Sequence, residues 1–231
     1  MKHKSRLFSP FSIVMIVALF ICLGVNATIT GDWTVLPMVA AVAGVLNVTL
    51  SAQGSLWNYI FGVLTVTLYA IVAFGAGNYG DAVMNAFYLL PMQFVGFWQW
   101  KKHGAGLDTS SGRGGAPVQA RRLSWKMRGV TLAAMAVAIV IIAFILGKVN
   151  ATAPWVDATK TVLNIVAQLL MSLAFMEQFI LWIAVNVSSV TLWIISAFQD
   201  KPGAIVMIIM WTFYLIISIY GLKVWLGLSK K

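Results

Sequence analysis

Apolar runs of about twenty residues, separated by short polar breaks, fill almost the whole chain. Measured against the roughly 20 residues needed to cross bilayer hydrocarbon, they predict eight membrane-spanning segments, at residues 11–28, 33–50, 56–76, 79–100, 129–149, 158–176, 179–198 and 203–226. Hydrocarbon offers no partners to backbone N–H and C=O groups, and the runs are too long for barrel strands, so all eight are predicted to be helices. The expected fold class is an all-α polytopic membrane protein.

The apolar map also repeats. The tetrapeptide VNAT stands at Val25 to Thr28 and again at Val149 to Thr152, each time after a long hydrophobic run. With one residue inserted after VNAT, a constant offset carries Asp32 to Asp157, Thr34 to Thr159, Gln53 to Gln178, Trp57 to Trp182, Gly96 to Gly221 and Trp100 to Trp225. Leucine and valine matches mean nothing at this composition, so these coincidences carry the duplication. In that register Asn186 falls opposite Phe61. Four crossings return the chain to its starting side, which makes the two copies parallel. The matches thin out in the first and fifth segments apart from VNAT. The expected core is therefore two parallel three-helix repeats joined by a linker helix, three plus one plus three, with an extra N-terminal helix. The boundaries follow as 1–30 for the extra helix, 31–103 for the first repeat, 104–128 for a basic loop, 129–152 for the linker helix and 153–231 for the second repeat and tail. Duplicated helix groups are common in transporters, with the substrate bound between them near mid-membrane.

Composition makes a soluble domain untenable: 61% of residues are apolar, 10% are charged and the mean hydropathy is +0.90, more apolar surface than a soluble fold of this size hides. The net charge of +10 has a topological reading. Lys2, Lys4 and Arg6 precede the first segment, Lys101, Lys102, Arg113, Arg121, Arg122, Lys126 and Arg128 lie between the fourth and fifth, and Lys230 and Lys231 end the chain. Eight crossings put all three groups on one face, which the positive-inside rule makes cytoplasmic, with both termini; Asp32, Asp81, Asp157 and Asp200 fall on the other. Contact with anionic lipid accounts for the charge without nucleic acid. The basic start and Ala27 of the first segment also fit a secretory signal, but its length and its counterpart in the fifth segment favour a retained helix. The Gly-, Ser- and Arg-rich stretch 101–128, with Gly112, Arg113, Gly114 and Gly115, is expected to be flexible.

Enzyme chemistry lacks parts. His3 and His103 lie in charged flanks and Cys22 in an apolar run, so neither a metal cluster nor a thiol nucleophile is expected, nor any cofactor. Gly75, Gly77 and Gly80 spell GxGxxG, but in a turn between two helical spans rather than in the βαβ unit that a dinucleotide fingerprint needs. The N-x-S/T patterns at Asn26, Asn47, Asn150 and Asn186 carry little information within spans. What stands out is neutral: Asn47, Asn58, Thr65, Asn85, Gln93, Asn164, Gln168, Asn186, Ser188 and Ser189 lie among apolar neighbours. Each alone could be helix-to-helix glue, worth about 0.6 kcal/mol. Together they suit an uncharged cavity for a solute with hydroxyls or an amide, and the missing mid-membrane carboxylate argues against ion coupling. Trp33, Trp98, Trp100, Trp155 and Trp225 fall at span ends, as interfacial anchors do. Trp182 and Trp211 lie deeper, and Tyr88 and Tyr214 near span centres. Trp182 and Asn186 are four apart and so share a helix face, a π surface beside an amide that suits a cationic aromatic ring.

These residues resemble the PnuC nicotinamide riboside transporters, bacterial relatives of the SWEET sugar transporters. The resemblance rests on SLWNYIFG at Ser55 to Gly62, YGDAVMNAFY at Tyr79 to Tyr88, GFWQW at Gly96 to Trp100 and FILWIAVNVSSV at Phe179 to Val190, and covers roughly residues 40–225. It implies the three-plus-one-plus-three core, a site between the triplets holding Trp182, Asn186, Asn58 and the polar face of the fourth span, and facilitated diffusion of nicotinamide riboside, a vitamin B3 precursor. It further implies trapping by a cytoplasmic kinase, a bacterial inner-membrane location and a homotrimer. Asn47, Asn85, Tyr88, Gln93, Gln168 and Tyr214 complete the candidate substrate-binding set. The chain departs from the family where relatives carry a Gln in the fourth span and an Asn in the third, the nearest positions being Asn85 and Thr65. That leaves thiamine open as an alternative substrate, and a non-transporting receptor or assembly protein as an alternative of another class. Gly62, Pro91, Gly96 and Gly221 are candidate pivots for alternating access, or sites of close helix packing.

Overall fold

The computed structural model describes residues 8–31, 33–107, 117–148 and 154–229. The second VNAT copy, Asp32, Arg113 and the terminal lysines lie outside them. Helix α1 (Pro10–Thr30) starts where the Ser9 hydroxyl accepts a bond from the Ser12 N–H and Pro10 pre-sets the first turn, and stops at Gly31 with φ 68°. Then come α2 (Val35–Ala52) and α3 (Asn58–Gly75). The fourth span is one helical rod in three pieces: α4 (Tyr79–Met84), a π-turn at Asn85–Leu89, and α5 (Leu90–Lys102). The chain ends with α6 (Trp125–Lys148), α7 (Pro154–Ser172), α8 (Gln178–Phe198) and α9 (Ala204–Leu228). Eight helical rods therefore occupy the eight predicted spans.

The rods form a ring. α2 packs on α3, α3 on α5, α5 on α7, α7 on α8, α8 on α9, and α9 returns to α2. α6 lies outside against α7, and α1 lies outside against α9 and α2, where Phe11 stacks on Tyr220 at 3.9 Å. Among the described residues, six rods are long and apolar enough to cross a membrane, and α1 is one of them. α7, which carries Asp157 and Lys160, and the broken fourth rod are the other two.

The internal repeat is real, but half of its expected register is wrong. The turn after α2 and the turn after α7 have the same hydrogen bonds: Ser55 N–H to Leu50 O matches Phe175 N–H to Leu170 O, and Tyr59 N–H to Leu56 O matches Phe179 N–H to Met176 O. Gly54, at φ 70°, corresponds to Ala174, at φ 58°. Trp57 therefore corresponds to Glu177, and Trp182 to Gly62. Asn58, not Gln53, stands where Gln178 stands, and Val66, not Phe61, stands opposite Asn186. α8 is three residues longer than α3 and the turn after it two residues longer, which restores the expected register further on, so that Gly96 matches Gly221 and Trp100 matches Trp225. The Tyr59 ring lies over Gly96 and the Phe179 ring over Gly221, where a Cβ would overlap each ring. At these glycines the visible role is close packing.

Trp100 and Trp225 are fully buried rather than interfacial. Trp100 Nε1 donates to Met171 O at 2.7 Å and Trp225 Nε1 to Ala52 O at 3.2 Å, and their rings meet at 5.7 Å. Each indole crosses to the other repeat, so the pair knits both copies together at the basic end of the ring. Trp33, Trp98 and Trp155 are exposed, as expected of anchors.

Residues 117–124, assigned by composition to a flexible loop, form a strap instead. Val118 N–H bonds to Gly54 O in the first repeat, and Arg121 exchanges backbone bonds with Ala174 and Met176 in the second. The left-handed turns at Gly54 and Ala174 turn these carbonyls toward the strap, which supplies the partners that buried backbone groups require.

Candidate substrate cavity

At the centre of the ring, α2, α3, the fourth rod, α7, α8 and α9 leave a cavity of about 90 Å³, enough for several waters. Seven of the nine candidate residues line it: Asn47, Asn85, Gln93, Gln168, Trp182, Asn186 and Tyr214. Asn58 and Tyr88 do not. Asn58, the first residue of α3, turns its amide back onto Ser55 O at 2.6 Å. Tyr88, in the π-turn, reaches away to Ile165 O of α7 at 2.9 Å.

The fourth rod shows how local conformation builds the site. In a regular helix, residues eight apart have drifted by about 80° around the axis. The π-turn, closed by Leu90 N–H to Asn85 O, takes up an extra residue and cancels most of that drift, so Asn85, Leu89 and Gln93 all face the cavity. Pro91 fits this break, because it has no N–H to give to the carbonyl of Phe87.

The amides are each half-spent. Asn85 Nδ2 donates to Asp81 O at 2.8 Å, Gln93 Nε2 to Leu89 O at 3.1 Å, Asn47 Nδ2 to Asn58 O at 3.1 Å, and Asn186 Nδ2 to Ser218 Oγ at 2.9 Å. Their carbonyl oxygens are what they can offer a solute, and Gln93 Oε1 is buried without a partner. Gln168 Nε2 and the Tyr214 hydroxyl are likewise buried and unpartnered. A buried polar atom without a partner costs about 1–3 kcal/mol, so these atoms suit a ligand with hydroxyls and an amide. Space for them comes from two glycines. A Cβ at Gly62 would overlap Gln93 Oε1, and one at Gly44 would overlap the Tyr214 hydroxyl.

Tyr69, Phe179, Trp211 and Ser218, with Ser51 and Thr65, complete the polar and aromatic lining. Thr65 was visible as a polar residue within a span and Trp211 as a tryptophan deep in one; the others carry no signal in the chain that separates them from packing residues. None of the lining side chains is ionisable except the two tyrosines, Tyr69 and Tyr214. Tyr69 is the link to charge. Its hydroxyl accepts from Trp193 Nε1 at 2.9 Å and donates to Asp81 Oδ2 at 2.8 Å, and Asp81 pairs with Lys160. This network lies toward the end of the rods away from the basic face, while Phe179 packs on Trp225, and Trp225 on Trp100, toward the other. Asn164 and Ser188 bond to their own helix backbones. Among the described residues no cluster of His, Cys, Asp or Glu could hold a metal.

Residues 34–227 match the family model described as nicotinamide mononucleotide transporter. The chain is 33% identical, over 99% of its length and 86% of the relative's, to a Neisseria mucosa protein named nicotinamide riboside transporter PnuC. It is 30% identical, over 97% and 93%, to the protein of that name from Haemophilus influenzae, and 25% identical, over 87% and 88%, to that from Escherichia coli. Among solved structures it resembles one titled crystal structure of the vitamin B3 transporter PnuC, with a TM-score of 0.85 and 32% identity across 96% of this chain and 93% of that one.

Proposed function

The chain belongs to the nicotinamide mononucleotide transporter family, and on that footing we propose that its substrate is nicotinamide riboside, moved by facilitated diffusion through the central cavity. The observation that carries this reading is the cavity's chemistry: the indole of Trp182 and the amides of Asn186, Gln93 and Gln168 line one space, with no Lys, Arg or His among the lining residues. A pyridinium cation over an indole gains about 0.5–2 kcal/mol when desolvated. The ribose hydroxyls and the carboxamide match the unpartnered Gln93 oxygen and Gln168 N–H. A mononucleotide would bring a phosphate dianion into a space with no counter-charge, and burying an unpaired charge is prohibitive. The riboside therefore fits where the mononucleotide does not.

Contacts between the two repeats lie toward either end of the rods, Asp81 with Lys160 at one and the Trp100 and Trp225 indoles at the other, an arrangement that supports alternating access by rocking of one triplet against the other. With the basic face in the cytoplasm, a membrane potential of about 100 mV contributes about 2.3 kcal/mol to entry of one positive charge, or about 50-fold accumulation. No coupling ion is then required, and cytoplasmic phosphorylation would trap the product.

Uptake of radiolabelled nicotinamide riboside and, separately, of radiolabelled thiamine into proteoliposomes tests the reading, with unlabelled riboside, mononucleotide or thiamine as competitors. Competition by riboside and not by mononucleotide is expected. Uptake inhibited by thiamine at equal concentration would move the assignment to the thiamine alternative, and no uptake of riboside or thiamine would sink transport altogether.

A further inference from the structure

On the outside of the ring, at its basic end, the gap between α6 and α8 is a groove of about 400 Å³. Its floor is Met135, Leu170 and Met176, all buried, and its walls include Leu132 and Ile180, both exposed toward the space that lipid would fill. α6 buries little besides Met135 and Ala143, and it leaves this furrow where it leans on α7.

The mouth of the groove is cationic, and its one acid is already used. Glu177 Oε1 holds Arg128 at 2.7 Å, and both Glu177 oxygens accept from the Leu123 N–H at 3.2 and 3.3 Å. Arg121 lies over the Phe175 ring at 4.5 Å, which leaves its charge in place. Arg122 lines the mouth and is exposed, with no hydrogen bond or ion pair among the described residues. Lys126, the second residue of α6, is also exposed. Apolar walls thus run up to a guanidinium without a counter-ion among the described residues.

We propose that this groove binds one anionic phospholipid, with an acyl chain along Leu132, Met135 and Ile180 and its phosphate on Arg122. A guanidinium presents two parallel N–H donors that match phosphate oxygens, and basic pockets between membrane helices select anionic headgroups in this way. A zwitterionic lipid offers the same chain but brings a cation to a mouth that is already positive.

The test is native mass spectrometry of the full chain in neutral detergent, titrated with phosphatidylglycerol or phosphatidylcholine, for the wild type, Arg122→Gln and Leu132→Trp. Leu132 and Arg122 are both exposed, so neither variant disturbs the core. The wild type is expected to retain phosphatidylglycerol in preference to phosphatidylcholine. Arg122→Gln should weaken phosphatidylglycerol about five-fold, the equivalent of about 1 kcal/mol for one basic side chain, with little effect on phosphatidylcholine. Leu132→Trp, which fills the furrow, should weaken both lipids. Retention of phosphatidylglycerol in Arg122→Gln equal to the wild type would overturn the proposal. So would a Leu132→Trp protein that keeps its lipid but changes its number of subunits, since the groove would then be a contact between copies of the chain.

Discussion

Asp81 in α4 and Lys160 in α7 form a salt bridge between the two repeats, and the same carboxylate accepts the hydroxyl proton of Tyr69, whose ring lines the cavity. The side chains are 13% and 19% exposed, so water screens the pair only in part. A single carboxylate thus connects a residue that lines the cavity to a contact between the two repeats.

Removing either partner leaves the other with a half-buried, unmatched charge. Asp81→Asn and Lys160→Met should each lower stability by about 1.5–3 kcal/mol, the range for hydrogen bonds to charged groups. The double variant should lose clearly less than the sum of the two, because neighbouring partners do not add. Thermal unfolding in detergent reads this, and strict additivity would mean that the two residues are not coupled.

Trp182 presents its indole to the cavity, so replacement separates stacking from space. Trp182→Ala should weaken riboside binding by about 0.5–2 kcal/mol and Trp182→Phe by less, since phenyl keeps a weaker π face. Titration calorimetry on the purified protein measures both. An unchanged affinity in Trp182→Ala would remove the aromatic face from the binding argument.

Gly44 is tested through the residue it makes room for. A methyl group there overlaps the Tyr214 hydroxyl, and an overpacked methylene costs about 1–3 kcal/mol. Gly44→Ala should lose both stability and binding, and Gly44→Ala with Tyr214→Phe should recover part of the stability, because the second change deletes the hydroxyl that lies deepest in the overlap and leaves the ring edge. If the second change restores nothing, the close approach of α2 to α9 is not what Gly44 secures.

The chain disclosed its architecture because bilayer thickness imposes a length on apolar runs, and those runs survive any error in register. Register itself was not legible. Trp57 and Trp182 match in one dimension, yet Trp57 sits in the turn before α3 and Trp182 a full turn inside α8, since the extra length of α8 shifts the frame. Asn47, Asn85, Gln93, Gln168, Trp182, Asn186 and Tyr214 could be picked out because a polar or aromatic group deep in a span is costly without a partner. Asn58 has the same signature but spends its amide on Ser55 O, a choice that depends on the turn. Tyr69 looked like packing, and Asp81 like an end-of-span charge, until folding brought α7 beside α4. The strap at 117–124 escaped notice for a related reason: its bonds are made by backbone, which composition does not reveal.

The π-turn of the fourth rod gives the sharpest separation between stability and binding. Proline inside a helix forfeits a hydrogen bond and costs about 3 kcal/mol, so Pro91 works against the rod that contains it. Pro91→Ala returns an N–H that can reach Phe87 O, and with it the option of a regular α-helix. Regular winding would swing Asn85 or Gln93 off the cavity face by about 80°, losing one amide contact of about 0.5–1.5 kcal/mol. The expected variant is more heat-resistant than the wild type but binds nicotinamide riboside about three- to ten-fold more weakly. Thermal unfolding and calorimetry on the same preparation decide it: a gain in stability with full affinity would show that the site tolerates a regular helix, and the alignment of Asn85 with Gln93 would lose its role.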